Sequence, residues 1–217
     1  MERKRVAILI SGRGSNMAAL IDAAANPDYP AEIALVVSNR PDAAGLARAQ
    51  AGGIATLVID HKPFDRDRAA FEQALDSKLT ARQIDLVCLA GFMRLFTAWF
   101  VSRWQGRMIN IHPALLPAFK GLGTHERALA AGVKLHGASI HFVIPEMDSG
   151  PIIVQAAVPV LDDDTPETLA ARVLAAEHRI YPLALRWLAE GRLTVVDGRC
   201  KVAGAVAHAD MLISPQS

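Results

Sequence analysis

The sequence predicts an α/β fold, a doubly wound and mostly parallel (Rossmann-like) sheet with an antiparallel C-terminal extension. Short, unbroken apolar runs alternate with helical patterns through the first two-thirds of the 217 residues. Continuous rather than alternating apolar runs are typical of strands whose two faces are both covered by helices. The repeated strand–helix order also implies right-handed crossovers between parallel strands.

The elements of the parallel part follow from these runs. The predicted strands are Val6–Ile10, Ile33–Val37, Ile54–Ile59, Leu86–Leu89 and Met108–Ile111. The predicted helices are Asn16–Ala25, Ala43–Ala51 and the charged amphipathic segment Asp65–Leu79. After Leu135 the pattern changes to longer strand-like stretches at 137–144 and 152–160, which indicate an antiparallel or mixed extension.

The C-terminal third begins with a strong helix start. Thr165 can cap a helix, Pro166 suits its first turn, and the acids around them suit the helix dipole. We expect Pro182 to kink or end this helix. A short hairpin should follow around Asp197-Gly198, after which the tail frays. Because the sequence contains no repeat or Pro/Ser-rich linker, we expect one domain over 1–217 with a peripheral tail at 194–217.

Charge and composition disfavour several classes of partner. Lys and Arg number 23 and Asp and Glu 22, so a net charge of +1 supplies no basic field for nucleic acid. No uncharged apolar stretch approaches the ~18–20 residues that span a bilayer, and the apolar segment after the basic start is too short for a signal peptide. Cys88 lies in an apolar run and is expected to be a buried thiol. We therefore expect a cytoplasmic monomer or homodimer without nucleic-acid or membrane partners.

A glycine loop, Ser11–Asn16, links the first strand to the first helix. At such a position backbone N–H groups and a helix N-terminus face an anion, and Gly12 and Gly14 allow close approach. Met17 replaces the third glycine of the dinucleotide fingerprint, and the loop lacks the Lys-Ser or Lys-Thr of a P-loop, which disfavours NAD and nucleoside triphosphates. The phosphate of a mononucleotide and a simple tight turn remain equally good explanations.

Asn110 and His112 lie two residues apart at the end of the fifth strand. Their side chains therefore share a face at the sheet edge where α/β proteins bind ligands. An amide beside an imidazole can stabilise an oxyanion and move a proton. Asp148, in a loop bracketed by prolines, could orient the imidazole, with Glu146 as its rival. A structural histidine is an equally good explanation, and spacing alone does not show that residues 112 and 148 meet.

Metal and covalent catalysis are weakly supported. His136 and His141 are expected on opposite faces of one strand, and His125-Glu126 lacks the second histidine of a zinc protease motif. The sequence has no G-x-S-x-G elbow, and Cys88 has no charged neighbour to make it a thiolate. We therefore expect no metal.

Glu177 continues the apolar stripe of Leu169 and Val173 along the last helix. Its carboxylate could bind the hydroxyls of a ribose. A rim acid paired with Arg172 or His178 is the alternative, and the more common one.

The segment Leu89–Phe96 leaves the fourth strand through a glycine and stays apolar where loops are usually polar. This suits a flat heterocycle, although Phe92 and Phe96 could instead pack under the next helix. Arg68 could meet a carboxylate, but a solvated helix charge is the more common reading.

A series of motifs carries a resemblance to a known family. They are Ser11-Gly12-x-Gly14-Ser15-Asn16, Leu89-Ala90-Gly91-Phe92-Met93-Arg94, Asn110-Ile111-His112-Pro113-Ala114-Leu115-Leu116-Pro117, His141-Phe142-Val143, Asp148-Ser149-Gly150-Pro151 and Glu177-His178-x-x-Tyr181-Pro182. In this order, from about residue 5 to residue 193, they resemble the phosphoribosylglycinamide formyltransferase family of de novo purine synthesis. That family is part of the formyltetrahydrofolate-dependent formyltransferase superfamily.

The resemblance implies formyl transfer from the co-substrate 10-formyltetrahydrofolate to the glycinamide amine, without a metal. It assigns catalytic positions to Asn110, His112 and Asp148. It assigns the substrate phosphate and ribose to Gly14, Ser15, Asn16 and Glu177. It assigns folate contacts to Met93, Arg94, Leu95, Phe96, Asn110 and, after a one-residue insertion, Arg68. Lys120 and Gly123 depart from the family, since many members have Pro and His there.

Two alternatives stay open. A related formyltransferase or hydrolase could act on methionyl-tRNA, a sugar amine or water, although such proteins usually carry an extra domain and the charge balance disfavours tRNA. A noncatalytic nucleotide- or folate-binding module would keep Gly14 and Glu177 without needing the catalytic trio.

Overall fold

The computed structural model describes residues 2–65, 67–206 and 212–215. Within them the main sheet has seven strands, with helices on both faces. Its strands are β1 (Lys4–Ile10), β2 (Ala31–Ser38), β3 (Thr56–Val58), β4 (Leu86–Leu89), β5 (Met108–His112), β6 (Leu135–Phe142) and β7 (Ile152–Pro159). The helices are α1 (Ser15–Ala24), α2 (Gly45–Ala51), α3 (Arg68–Ala81), α4 (Ala98–Arg103), α5 (Thr124–Ala130) and α6 (Pro166–Ala189). A hairpin of β8 (Leu193–Val196) and β9 (Arg199–Val202) follows.

The sheet has the strand order β3-β2-β1-β4-β5-β6-β7. The strands from β3 to β5 pair in parallel, whereas β6 and β7 are antiparallel additions. This arrangement confirms the predicted fold class. Strand order reverses between β1 and β4, and α/β proteins bind ligands beyond the carboxyl ends of strands at such a switch point. The loops that leave β1 and β4 are the glycine loop and the apolar segment singled out in the sequence.

Burial on both faces of the sheet explains the continuous apolar runs. Residues Val6 to Ile10 of β1 are fully buried, and successive side chains enter two different core clusters. The cluster under α1, α2 and α6 receives Val6, Ile8 and Ile10, while the cluster under α3 and α4 receives the residues between them. Alternation of side chains along a strand produces this division.

The predicted start of α6 is confirmed, but the expectation that it could end at Pro182 is wrong. Thr165 caps the helix and accepts a hydrogen bond from the backbone N–H of Thr168. The helix then continues through Pro182 to Ala189. Tyr181 and Leu185, on either side of the proline, are fully buried against the sheet. Their burial outweighs the one backbone hydrogen bond that proline cannot form.

Other differences are local. The segment predicted as a helix from Asp65 follows a 3-10 turn at Lys62–Phe64, and α3 starts only after Asp67, whose carboxylate caps it. The short helices α4 and α5 were not predicted. The hairpin is confirmed, with positive φ at Asp197 and Gly198 as a tight turn requires. The predicted fraying falls partly on 207–211 and 216–217, which lie outside the described residues. Among the described helices, none has both the length and the apolar character to cross a membrane.

Candidate active site

A cleft of about 610 Å³ lies beside the carboxyl ends of β4 and β5. The apolar segment 91–96 forms one wall, and the loops 121–126 and 143–148 form the others. Four of the polar side chains that line it are called here the histidine cluster: Asn110, His112, His141 and Asp148. The cleft therefore lies at the edge of the sheet that the positions of Asn110 and His112 predict.

His112 and Asp148 meet in this cleft. Nδ1 of His112 lies 3.3 Å from Oδ2 of Asp148, although the residues are far apart in sequence. Nε2 of His112 donates to the backbone oxygen of Phe119 at 3.0 Å. The imidazole is buried, with 4% of the residue exposed. Both ring nitrogens therefore face oxygen acceptors, which fix the orientation of the imidazole.

The loop that carries Asp148 is held in an uncommon conformation. Asp148 has a φ of 50°, in the left-handed region that few residues other than glycine, asparagine and aspartate adopt. Its Oδ2 also accepts a hydrogen bond from the backbone N–H of Gly121 at 2.9 Å. At Gly150 a Cβ atom would lie 1.8 Å from the backbone oxygen of Phe142, so only glycine lets the loop turn back onto β6.

Asn110 and His141 face each other across the antiparallel β5–β6 pair. Nδ1 of His141 donates to the backbone oxygen of Phe142 at 2.9 Å, and Asn110 Nδ2 donates to Nε2 of His141 at 3.2 Å. Burial lowers the pKa of His141, and this effect exceeds the opposing effects of its hydrogen bond to the backbone of Phe142 and of the nearby Asp148 carboxylate. The ring is therefore neutral with its proton on Nδ1, and it orients the Asn110 amide while leaving the second N–H of that amide for a bound group.

His141 is the member of this cluster that sequence reasoning missed as a site residue. It lies in a quoted motif, but no role was predicted for it. The signal was its position opposite Asn110, which becomes visible only when the register of β5 against β6 is known.

A second polar group, called here the glutamate cluster, joins Gly14, Ser15 and Asn16 to Glu177. Asn16 Nδ2 donates to Glu177 Oε2 at 2.7 Å, which brings the glycine loop against α6. Asn16 Oδ1 is buried and has no hydrogen-bond partner among the described residues. Gly14 has a φ of 71°, and a Cβ there would press on Met17 and Gly45 at about 3 Å.

Glu177 is itself buried, with 6% of the residue exposed. Burial raises the pKa of its carboxyl, and the hydrogen bond from Asn16 opposes this shift. The alternative pairing with Arg172 is wrong, because that guanidinium binds Asp164 at 2.7 Å. An acid buried beside a glycine loop, with a neutral amide as its partner, is suited to accept hydrogen bonds from a ligand.

The residues of the apolar segment divide between the core and the cleft. Phe92 and Phe96 stack with ring centroids 5.3 Å apart and pack against the core, as the simpler explanation predicts. Met93 and Leu95 instead line the cleft and are 68% and 55% exposed. The backbone N–H of Met93 donates to Oγ of Ser11 at 2.8 Å, so the segment is fastened to the glycine loop.

Arg68 lines a cavity beside the apolar segment. This cavity has a volume of about 480 Å³ and is also lined by Asp65, Met93, Arg94 and Leu95. The structure thus brings Arg68 beside the segment 93–95 and away from the histidine cluster.

Two other histidines form a pair outside the histidine cluster. The rings of His125 and His136 meet edge to face, 5.4 Å apart. Burial, with a contribution from His125, lowers the pKa of His136 to about 4. Among the described residues, no group of three or more His, Cys, Asp or Glu side chains is placed to hold a metal ion.

Fold and cleft together define an α/β domain with hydrogen-bond donors and a carboxylate gathered beside the carboxyl ends of β4 and β5. The sequence matches the family described as formyl transferase over residues 4–185. The chain belongs to this family.

Several known proteins are similar to this chain. The trifunctional purine biosynthetic protein adenosine-3 of Bos taurus is 51% identical over 190 residues, which cover 88% of this chain and 19% of that protein. The phosphoribosylglycinamide formyltransferase of Escherichia coli is 46% identical over 188 residues, 87% of this chain and 88% of that protein. The crystal structure of glycinamide ribonucleotide transformylase 1 from Symbiobacterium toebii superposes with a TM-score of 0.89 at 47% identity, covering 92% and 94% of the two chains. The chain thus spans about a fifth of the trifunctional relative.

Proposed function

We propose that this chain transfers the formyl group of 10-formyltetrahydrofolate to the amine of 5'-phosphoribosylglycinamide. The products are N-formylglycinamide ribonucleotide and tetrahydrofolate, in de novo purine synthesis. The observation that carries the proposal is the convergence of Asn110, His112 and Asp148 on one cleft, with Asp148 Oδ2 3.3 Å from His112 Nδ1. The names of its relatives and the motif resemblance agree with it.

The chemistry asks for stabilisation of negative charge. The uncharged amine attacks the formyl carbon, a C–N bond forms, and the carbonyl electron pair moves to oxygen. The free N–H of Asn110 and the positive charge of His112 stabilise this oxyanion more than the uncharged formyl group, which lowers the barrier. A direct hydrogen bond from His112 requires the ring to exchange one of its two present partners, Phe119 or Asp148.

Breakdown of the intermediate requires a proton transfer. The carbonyl re-forms and the bond to folate N10 breaks, while the proton lost by the amine moves to N10. We assign this relay to the carboxylate of Asp148, which also orients the His112 ring. Because both substrates are held in one cleft, part of the entropy cost of bringing them together is met on binding and no longer adds to the reaction barrier. This route uses no metal.

The two substrates are assigned to different parts of the site. We place the ribonucleotide phosphate on the backbone N–H groups at Gly14, Ser15 and Asn16, where the positive end of α1 faces it. Glu177 accepts hydrogen bonds from the ribose hydroxyls. The pterin lies against the segment Met93–Phe96 and Asn110, and Arg68 meets a carboxylate of the folate tail.

The setting in which the chain acts is part of the proposal. We infer one working domain over 1–217, with 194–217 peripheral, acting on small molecules in the cytoplasm as a monomer or homodimer. The net charge of +1 supports small substrates over nucleic acid.

The test is a direct assay. Purified protein is mixed with 10-formyltetrahydrofolate and the ribonucleotide, and the folate absorbance is followed, with the nucleotide omitted in a matched control. We expect conversion of the folate only when the nucleotide is present. Equal conversion without it would indicate a hydrolase, and no conversion in either mixture would reject the proposal.

A further inference from the structure

Two loops, 117–123 and 145–150, lie beside His112, and the side chain of Lys120 in the first loop contacts the second. The loop 117–123 supplies the backbone oxygen of Phe119 to His112 and the N–H of Gly121 to Asp148. The loop 145–150 supplies the Asp148 carboxylate. Lys120 lies between these two contacts in the sequence of the first loop.

The Lys120 side chain bridges the two loops. Its Nζ donates to Oγ of Ser149 at 2.6 Å and lies 3.5 Å from Oε1 of Glu146. The Ser149 hydroxyl in turn donates to the backbone oxygen of Met147 at 2.9 Å. The ammonium therefore contacts residues on both sides of Asp148. These contacts form a second link between the two loops, beside the hydrogen bond from Gly121 to Asp148.

The main chain at Lys120, from which this link extends, is held by α5. The backbone oxygen of Lys120 accepts a hydrogen bond from Nη1 of Arg127 at 2.6 Å. The Arg127 guanidinium also lies 5.7 Å from the ring centroid of Phe119. Because the main chain at 119–120 is held from α5, the Lys120 side chain can restrain the loop opposite.

The loop opposite needs such a restraint. A left-handed conformation at a residue other than glycine is disfavoured by sterics and persists only where the surroundings hold it. Asp148, at a φ of 50°, is in that conformation. Its Oδ2 is shared between Gly121 and His112, so a small shift of the loop lengthens both contacts.

We propose that Lys120 is a positioning residue that holds the carboxylate of Asp148 against His112 through Ser149 and Glu146. Lys120 is not among the described residues that line the cleft, so it acts through Asp148 rather than on a substrate. For its effect on turnover, the inference rests on the proposed formyl transfer. The positioning of Asp148 by Lys120 does not depend on that function.

The first test compares three single variants by steady-state kinetics. Lys120→Met keeps the aliphatic stem but removes the ammonium, Ser149→Ala removes its hydroxyl partner, and Lys120→Arg restores a donor. We expect kcat to fall about 5-fold in Lys120→Met and about 3-fold in Ser149→Ala, with an unchanged KM for the ribonucleotide, and near-normal kcat in Lys120→Arg. Lys134→Met is the matched control, because that lysine pairs with Asp162 at 2.9 Å on another surface. A change in KM alone, or an equal loss in Lys134→Met, overturns the proposal.

The second test is a double-mutant comparison. If Lys120 works by placing the Asp148 carboxylate, its substitution should cost less than about 2-fold in kcat once Asp148→Asn is present. A full additive loss in that background would contradict the proposed route.

A third measurement does not need activity. The Gly121 amide, bonded to Asp148, should exchange with solvent about 3-fold faster or more in Lys120→Met and at the wild-type rate in Lys120→Arg, as followed by NMR. If the wild-type protein transfers no formyl group, the proposed function fails and this measurement alone decides the role of Lys120. Unchanged protection of Gly121 in Lys120→Met would then reject the role.

Discussion

The histidine cluster and the glutamate cluster differ in what holds them and in the charge they present. In the histidine cluster a carboxylate faces an imidazole with two N–H donors, and Asp148 is supplied by a loop in a left-handed conformation. In the glutamate cluster a buried acid meets a neutral amide, and its partners lie at the ends and faces of α1 and α6. The first arrangement suits charge that develops during a reaction, and the second suits a ligand that is only bound.

This difference predicts which kinetic constant each cluster controls. Groups whose interactions strengthen in the transition state affect kcat, whereas groups that bind substrate and transition state equally affect KM. We therefore expect substitutions in the histidine cluster to lower turnover and those in the glutamate cluster to weaken ribonucleotide binding.

The largest expected effect is that of His112→Ala. Removing the cationic ring should lower kcat at least ~10²-fold, the scale of losing one oxyanion donor. The ribonucleotide Kd, measured by calorimetry, should stay within about 2-fold, because His112 does not contact the glutamate cluster. Normal turnover in this variant would remove His112 from the mechanism, and a large loss of nucleotide affinity would erase the distinction between the clusters.

Asp148→Asn is expected to follow, with kcat about 10- to 50-fold lower. The amide keeps the size of the side chain and can still accept from Gly121, but it carries no charge for His112 and takes no proton. Stopped-flow measurement of a single turnover isolates the chemical step. A loss confined to product release, with normal single-turnover rate, would contradict the relay assigned to Asp148.

Glu177→Ala should act on binding, with a smaller effect. Loss of a buried carboxylate acceptor is expected to weaken the ribonucleotide about 10-fold and the folate less than about 2-fold. Separate calorimetric titrations with each ligand check this. Equal losses for both ligands would count against a position at the ribose.

These clusters also show what a sequence can predict. Asn110 and His112 could be identified because i and i+2 on a strand share a face whatever the rest of the fold does. Asp148 could be named as a candidate, but its contact with His112 depends on how the β6–β7 turn folds back. His141 required the register of a strand pair 31 residues apart in sequence, which no local pattern encodes.

The fold divides in the same way. The strand Leu86–Leu89 was predicted with its observed bounds, because a short apolar run between helices has few other solutions. The helix α4 was missed, since six residues within an apolar stretch show too little periodicity to separate from a strand or loop. Continuation of α6 past Pro182 depends on tertiary burial of Tyr181 and Leu185, which overrides the local preference.

The smallest predicted effect is the pH dependence of the unfolding free energy that Glu177 causes in the glutamate cluster. Because the folded-state pKa of Glu177 is raised, the folded protein binds its proton more tightly than the unfolded chain. Its contribution to stability is therefore full at low pH and is lost as pH rises from the ordinary carboxyl pKa of 4.5 through the raised pKa. Glutamine does not ionise, so Glu177→Gln is not destabilised in this way. The unfolding free energy of the variant, relative to that of the wild type, should therefore increase as pH rises through that window. Urea unfolding at pH 4, 5.5 and 7 measures the difference, and a difference independent of pH would contradict the burial assigned to Glu177.

The proposed function requires the histidine cluster to move a formyl group between two bound substrates. The direct measurement uses 10-formyltetrahydrofolate carrying an isotopic label in the formyl carbon, with excess enzyme and ribonucleotide in a single turnover. We expect the label to appear in the ribonucleotide with the wild-type protein, at a rate that falls at least ~10²-fold in His112→Ala. Label released as formate while the ribonucleotide is present would contradict the proposed function.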